Sequence, residues 1–154
     1  MMTRSTLPFL LLALVACSDV AAPEVSQIRV ELQASRTELV PGDTVRLRVV
    51  AHNPSKDVIS FRTNGCVLAV RVRTRGGDTV FQDPHVCNDI GLVHELAPGD
   101  SIEKTIVFDG MTTWGPFLDE DGREPELALA PGRYEAIGFI TTAVESPSEP
   151  VELS

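Results

Sequence analysis

Val40-Pro41-Gly42-Asp43-Thr44-Val45-Arg46-Leu47-Arg48-Val49-Val50-Ala51 decides the fold, because a tight turn leads directly into a strand with one apolar face. Val45, Leu47, Val49 and Ala51 alternate with Arg46, Arg48 and Val50. A period of two sends successive side chains to opposite faces of an extended chain, one toward a core and one toward water. Proline presets φ at the first central turn position, and glycine supplies the positive φ that a type II turn needs at the second. The same form returns at Ala97-Pro98-Gly99-Asp100 and at Ala130-Pro131-Gly132-Arg133, each again followed by a strand pattern.

On the N-terminal side, Ile28, Val30 and Leu32 alternate with Arg29 and Glu31. Toward the C-terminus, Leu68, Val70 and Val72 alternate with Ala69, Arg71 and Arg73, and Ile102, Lys104 and Ile106 open a run that closes on Val107-Phe108. Residues 58–61, 79–82, 134–141 and 151–153 bring the count to about eight short strands, seven or eight being what one sandwich holds. Asn53-Pro54-Ser55-Lys56-Asp57 and Arg75-Gly76-Gly77-Asp78 are further reverse turns. Short strands parted by turns, with almost no helical period, predict an all-β chain. The expected architecture is an antiparallel β-sandwich of Ig-like type rather than βαβ units, with a small closed barrel as the alternative.

The first residues follow another pattern. Arg4 precedes an apolar run from Leu7 to Ala16, interrupted early by Pro8. At about ten residues it fits a signal-peptide core of roughly 7–15 and is too short for a bilayer of about 30 Å. A buried cysteine in the first helix of a soluble protein fits poorly, since the segment has no amphipathic period. Leu14-Val15-Ala16-Cys17 sets aliphatic and small residues directly before a cysteine, and resembles the lipobox of bacterial lipoprotein precursors. The resemblance implies that residues 1–16 are a cleaved signal peptide and that the Cys17 thiol is lipidated, with acylation, palmitate included, at the new amino terminus. Two or three chains anchor stably where one holds marginally, each buried CH₂ contributing about 0.8 kcal/mol. Residues 17–25 are then the lipidated cysteine and a tether, and residues 26–154 the sandwich domain. Ser18, in place of an aspartate, implies the outer rather than the inner membrane of a Gram-negative envelope. Met1 and Met2 leave two candidate starts.

Charge and cysteine count narrow the function. The chain holds 13 basic and 22 acidic residues, a formal charge of −9, and loss of residues 1–16 removes only Arg4 from that count. So acidic a domain is a poor nucleic-acid partner, which requires basic patches to replace counterions. With Cys17 assigned to lipid, Cys66 and Cys87 remain, and two cysteines in an exported domain are most simply one disulfide. Closing a loop of about twenty residues stabilises by roughly 3 kcal/mol in the chain-entropy model. The alternative is a metal site, since Asp83, His85, Cys87 and Asp89 would share one face of a strand. Pro84 and Asn88-Asp89 argue for a loop there, and zinc sites carry clearer ligand pairs, so no metal or cofactor is expected.

Residues 109–127 break the rhythm. They hold Trp114, Gly115-Pro116-Phe117 and the acidic run Asp119-Glu120-Asp121-Gly122-Arg123-Glu124-Pro125-Glu126. A long loop on a rigid sandwich is a candidate binding loop, with Trp114, Phe117, Asp119 and Asp121 as contact residues. The competing reading folds Trp114 and Phe117 back over one end of the core. Asp119-x-Asp121-Gly122-x-Glu124 is similar to part of a calcium loop but lacks the twelve-residue spacing.

Nothing in the chain reads as an enzyme. His52, His85 and His94 are scattered, no serine sits in a nucleophile elbow, and paired cysteines leave no thiol for catalysis. His52 reads as a strand-end residue, and His94 and Glu95, before a turn, as surface. Arg71 and Arg73 are expected to oppose acidic residues of a neighbouring strand rather than to hold an anion.

The order of features across most of the chain resembles the BsuPI-type intracellular proteinase inhibitor domain. Val49-Val50-Ala51-His52-Asn53-Pro54-Ser55 ends a strand, and Val58 and Phe61 begin the next. Val70 and Val72, Gly76-Gly77 and Val80-Phe81 follow. Leu96-Ala97-Pro98-Gly99-Asp100-Ser101 resembles the family's L-x-P-G-(D/E)-S step, and Pro131-Gly132-Arg133-Tyr134-Glu135-Ala136 its closing P-G-x-Y strand. Phe81-Gln82-Asp83 stands where the family often carries tryptophan, and Cys66 and Cys87 are additions. The resemblance implies an Ig-like sandwich and carries no inhibitory residue over. The expected function is therefore a non-catalytic binding module, tied to the membrane through Cys17 and meeting a protein partner, with proteinase inhibition as the alternative.

Overall fold

Alternation becomes strand wherever the apolar face finds a second sheet to cover it. A computed structural model describes residues 25–39, 43–83, 87–88, 90–112, 127–142 and 146–154. A 3₁₀ turn at Val25–Gln27 precedes β1 (Arg29–Ala34), β2 (Val45–His52), β3 (Ile59–Asn64), β4 (Leu68–Thr74), β5 (Thr79–Asp83) and β6 (Gly91–Leu96). There follow β7 (Ser101–Phe108), β8 (Met111–Thr112), β9 (Leu127–Ala128), β10 (Tyr134–Ile140), β11 (Ser146–Pro147) and β12 (Val151–Leu153). Every pairing is antiparallel.

One sheet has the order β1-β2-β7; the other runs from β11 and β12 through β10 and β4 to β5. In chain order β1, β2, β4, β5, β7, β10 and β12 take the places of strands A, B, C, C′, E, F and G of an Ig-type sandwich. Val45, Leu47, Val49 and Ala51 of β2 are all fully buried and meet Val70, Val72, Ala136 and Ile140 of the opposite sheet in one core. The arginines between them face out, as alternation requires. At Gly138 the sheets pack so closely that an added Cβ would lie 2.9 Å from Val49 Cγ2.

The turns only partly follow their sequence signals. Gly99 has φ +81°, and the Asp100 N–H donates to Ala97 O at 3.0 Å, so this turn is of the expected type II form. Gly132 is not in the left-handed region. There the Tyr134 hydroxyl donates to Ala130 O at 2.6 Å and closes the bend by a side chain instead. A tyrosine opening strand F and bonded a few residues upstream is the tyrosine corner of such sandwiches. Residues 40–42 lie outside the described residues.

The other departure is β6, a strand that adds to the eight expected from the sequence; three two-residue strands, β8, β9 and β11, are also new. β6 does not alternate as a half-buried strand should: Leu92 and Val93 are consecutive and 43% and 61% exposed. It exists because β3 holds it, with Ile59 opposite Leu96 and Asn64 opposite Gly91. β3–β6 and β4–β5 are the outer and inner halves of one hairpin about the Gly76-Gly77 turn. Between Val70–Asp83 and Asn64–Gly91, six steps along one arm match eight along the other, so the ladder is interrupted. β3 and β6 thus pair beyond C and C′ as a two-stranded sheet of their own.

Candidate functional site

The interruption of this hairpin is where the site is built. Cys66 and Cys87 form a disulfide across it, with a Cα–Cα distance of 5.4 Å, which is the spacing of directly opposed antiparallel residues. Gly65 beside it has φ +77°, and an added Cβ would stand 2.7 Å from Asn88 O, so only glycine lets the two arms approach here. The Thr141 N–H donates to Val67 O at 3.1 Å, and the Thr141 hydroxyl to Cys66 O, which fastens the same segment to the end of β10.

The outer half of the hairpin is locked at its open end by Asn53, which is fully buried. Its Nδ2 donates to Asp57 O and Leu96 O, both at 2.8 Å, and its Oδ1 accepts from the Ser55 N–H at 2.9 Å and the Ser55 hydroxyl at 2.7 Å. The backbone of Asn53 bonds Gly99 and Asp100 of the turn leading into β7. One residue, by side chain and backbone together, therefore ties the end of β2, the start of β3, the end of β6 and the entry to β7.

Between these ties a cleft of about 530 Å³ opens, lined by Gly65–Leu68, Phe61, His94–Leu96 and Ile102–Lys104. That size falls in the range of roughly 300–1,000 Å³ typical of ligand sites. On a strand, alternate residues face one side, so three consecutive lining residues on β6 and again on β7 mean that the cleft runs along strand edges. Among the described residues β7 pairs only with β2, and β6 only with β3. Both therefore carry an edge without a strand partner among those residues.

Phe61, Leu68 and Leu96 form a buried apolar floor. His94 stacks on Phe61 with ring centroids 5.4 Å apart, and its Nε2 is 3.0 Å from Thr63 Oγ1. The charges at the rim are mostly paired: Lys104 Nζ lies 2.6 Å from Asp83 Oδ1, spanning the two sheets, and Glu103 pairs with Arg48. Glu95 is exposed and makes no ion pair among the described residues, so the cleft keeps an acidic bias.

The residues singled out in the sequence fall into three groups. Cys66 and Cys87 are brought together as a disulfide, and Cys87 is thereby committed to sulfur rather than metal; Asp83 faces Lys104, while His85 and Asp89 lie outside the described residues. Cys17, Trp114, Phe117, Asp119 and Asp121 also lie outside them; β8 and β9 pair at the two ends of the long loop. His94 corrects its reading as a surface residue, since Phe61 and Thr63 hold its ring half-buried on β6. Arg73 does oppose Glu135, Nη2 to Oε2 at 2.8 Å, whereas Arg71 lies over the Phe139 ring at 4.8 Å and donates to Gln82 Oε1. His52 ends β2 as expected, Nδ1 at 3.0 Å from Ser101 Oγ. Asn53 carried only a turn signal and Glu95 only a surface reading, and nothing in the sequence marked the edge of β7. The one usable signal was the missing alternation in Gly91–Leu96.

No family model and no curated relative matches the chain. Among solved structures it is similar to a β-glucosidase of Erythrobacter marinus, at TM-score 0.43 and 14% identity over 82% of this chain and 16% of that one. A β-glucosidase of Listeria innocua gives TM-score 0.43 and 16% identity over the same shares. The sporulation control protein Spo0M of Bacillus subtilis gives TM-score 0.44 and 9% identity over 82% of this chain and 48% of that one. The chain thus spans about a sixth of the glucosidases and about half of Spo0M. Likeness at this level transfers neither activity nor partner.

Proposed function

We propose that the protein is a bacterial envelope lipoprotein, anchored through lipid on Cys17, whose β-sandwich is a binding module with the disulfide-framed cleft as its contact surface. The observation that carries the binding reading is the cleft itself: an apolar floor between two strand edges, held open by a disulfide and by Asn53. Support for the anchor is the Leu14-Val15-Ala16-Cys17 sequence, and Ser18 favours the outer membrane. Holding a module at a membrane raises its effective concentration for partners on the same surface, so modest affinity suffices.

The anchor is tested by metabolic labelling with a palmitate analogue: the wild type takes up label and Cys17→Ala does not. Equal labelling of both would remove the anchor. The contact surface is tested in cells with a photo-crosslinking amino acid at position 95 in the cleft, 105 on the outer face of β7, or 117 in the long loop. Crosslinks from 95 alone support the cleft, whereas crosslinks from 117 alone move the contact to the loop.

A second reading, proteinase inhibition, is favoured by the resemblance over residues 49–136. Two segments that carry it, around Gly99 and Tyr134, act as turn scaffolding, which places this reading second. The full chain should then inhibit at least one serine protease stoichiometrically and survive intact; no inhibition across a broad panel removes the proposal.

A further inference from the structure

Resting on the reading of the cleft as a contact surface, we infer that its occupant is an extended peptide segment of a partner protein, added as a strand along the edge of β7 that has no strand partner among the described residues, and carrying a basic residue opposite Glu95. Consecutive cleft-lining residues, Ile102-Glu103-Lys104 on β7 and His94-Glu95-Leu96 on β6, present main chain as well as side chains. A strand edge offers a row of N–H and C=O groups, and the ligand that answers such a row is another strand. Three strand residues span about 10 Å, so the cleft takes a short segment rather than a folded surface.

Chemistry narrows the segment further. Side chains on one of its faces would meet Phe61, Leu68 and Ile102, which calls for apolar residues at alternate positions. Glu103 and Lys104 are already paired with Arg48 and Asp83, leaving the Glu95 carboxylate to be met by a partner's lysine or arginine. A second copy of this chain fits badly, because its formal charge of −9 would bring an acidic surface to an acidic cleft. The β6 side of the cleft is tied before binding, since Asn53 and the disulfide fix both ends of the outer hairpin, and pre-organisation lowers the cost of association.

The test uses the full chain in mild detergent and a dye-labelled hexapeptide in which valine alternates with threonine and one central lysine, read by fluorescence anisotropy. The peptide is expected to bind saturably, with the lysine-to-glutamate peptide and the Glu95→Lys protein each at least tenfold weaker and the glutamate peptide recovering on Glu95→Lys. A peptide N-methylated on alternate amides along one edge should lose binding, because strand addition requires those donors. Undiminished binding of every N-methylated peptide would overturn strand addition, and equal binding of lysine and glutamate peptides would overturn the basic residue. Self-association in sedimentation that Glu95→Lys abolishes would make the occupant a second copy and overturn the proposal. Crosslinking from position 95 in cells together with no peptide binding would retain the cleft as a contact surface and reject the peptide, so the two readings fail separately.

Discussion

Cys66 and Cys87 stand symmetrically about the Gly76-Gly77 turn, ten residues from the nearer glycine on either side, and each four residues beyond the Val70–Asp83 ladder pair. The disulfide therefore sits on the Val70–Asp83 register extended by four residues along each arm. It ties the two arms where they lead into β3 and β6.

Removing that tie should loosen the outer hairpin first. The Cys66→Ser/Cys87→Ser double variant is expected to lose about 3 kcal/mol by the chain-entropy model. Urea unfolding reads the loss, and hydrogen exchange should accelerate in β3 and β6 before β2 and β10. Uniform acceleration across all strands would mean that the hairpin has no separate stability.

Asn53 should be among the costliest polar positions. Asn53→Ala takes the side-chain donor from the buried Leu96 O and leaves Asp57 O with the Ser55 hydroxyl alone, and the expected loss is about 1–3 kcal/mol, the cost of one buried group losing its partner. Asn53→Asp should be at least as damaging, since a carboxylate would face two carbonyl oxygens. A midpoint shift small enough to match a surface substitution would show that the turn closes without this side chain.

Gly138→Ala should destabilise by about 1–3 kcal/mol through overpacking, because its methyl group would meet the stiff, fully buried Val49 at 2.9 Å. Gly138→Ala combined with Val49→Ala is expected to recover part of the loss of the single Gly138 variant, as contacting residues couple. Strict additivity in thermal unfolding would place the two residues further apart.

Tyr134→Phe removes only the hydroxyl that bonds Ala130 O, with an expected cost of about 1 kcal/mol and no change in strand content by circular dichroism. Tyr134→Ala also strips the ring from the edge of the core and should cost more. Equal effects of the two would assign the whole role to the hydrogen bond.

Much of the scaffold was legible in the chain. Val45–Ala51, Leu68–Val72 and Ile28–Leu32 alternate because each lies across a closed core, where every second side chain is buried without exception. Gly99 and Gly77 carried readable turns for the same local reason, a positive φ that glycine adopts without a steric penalty. At Gly132 the local signal misled, because Tyr134, two residues on, made the same bend by a longer-range bond.

The sequence by itself determined the all-β class, the main strands, the outward arginines and the pairing of Cys66 with Cys87, since periodicity and cysteine count are local or arithmetical properties. Only the tertiary structure decided that Gly91–Leu96 is a strand, that His94 stacks on Phe61, and that Asn53 locks four segments together. Those facts depend on contacts between residues as far as 43 positions apart, at an edge only partly covered by the core. Burial imprints a pattern on sequence where it is complete; at a half-covered edge it does not, and that edge is where the cleft lies.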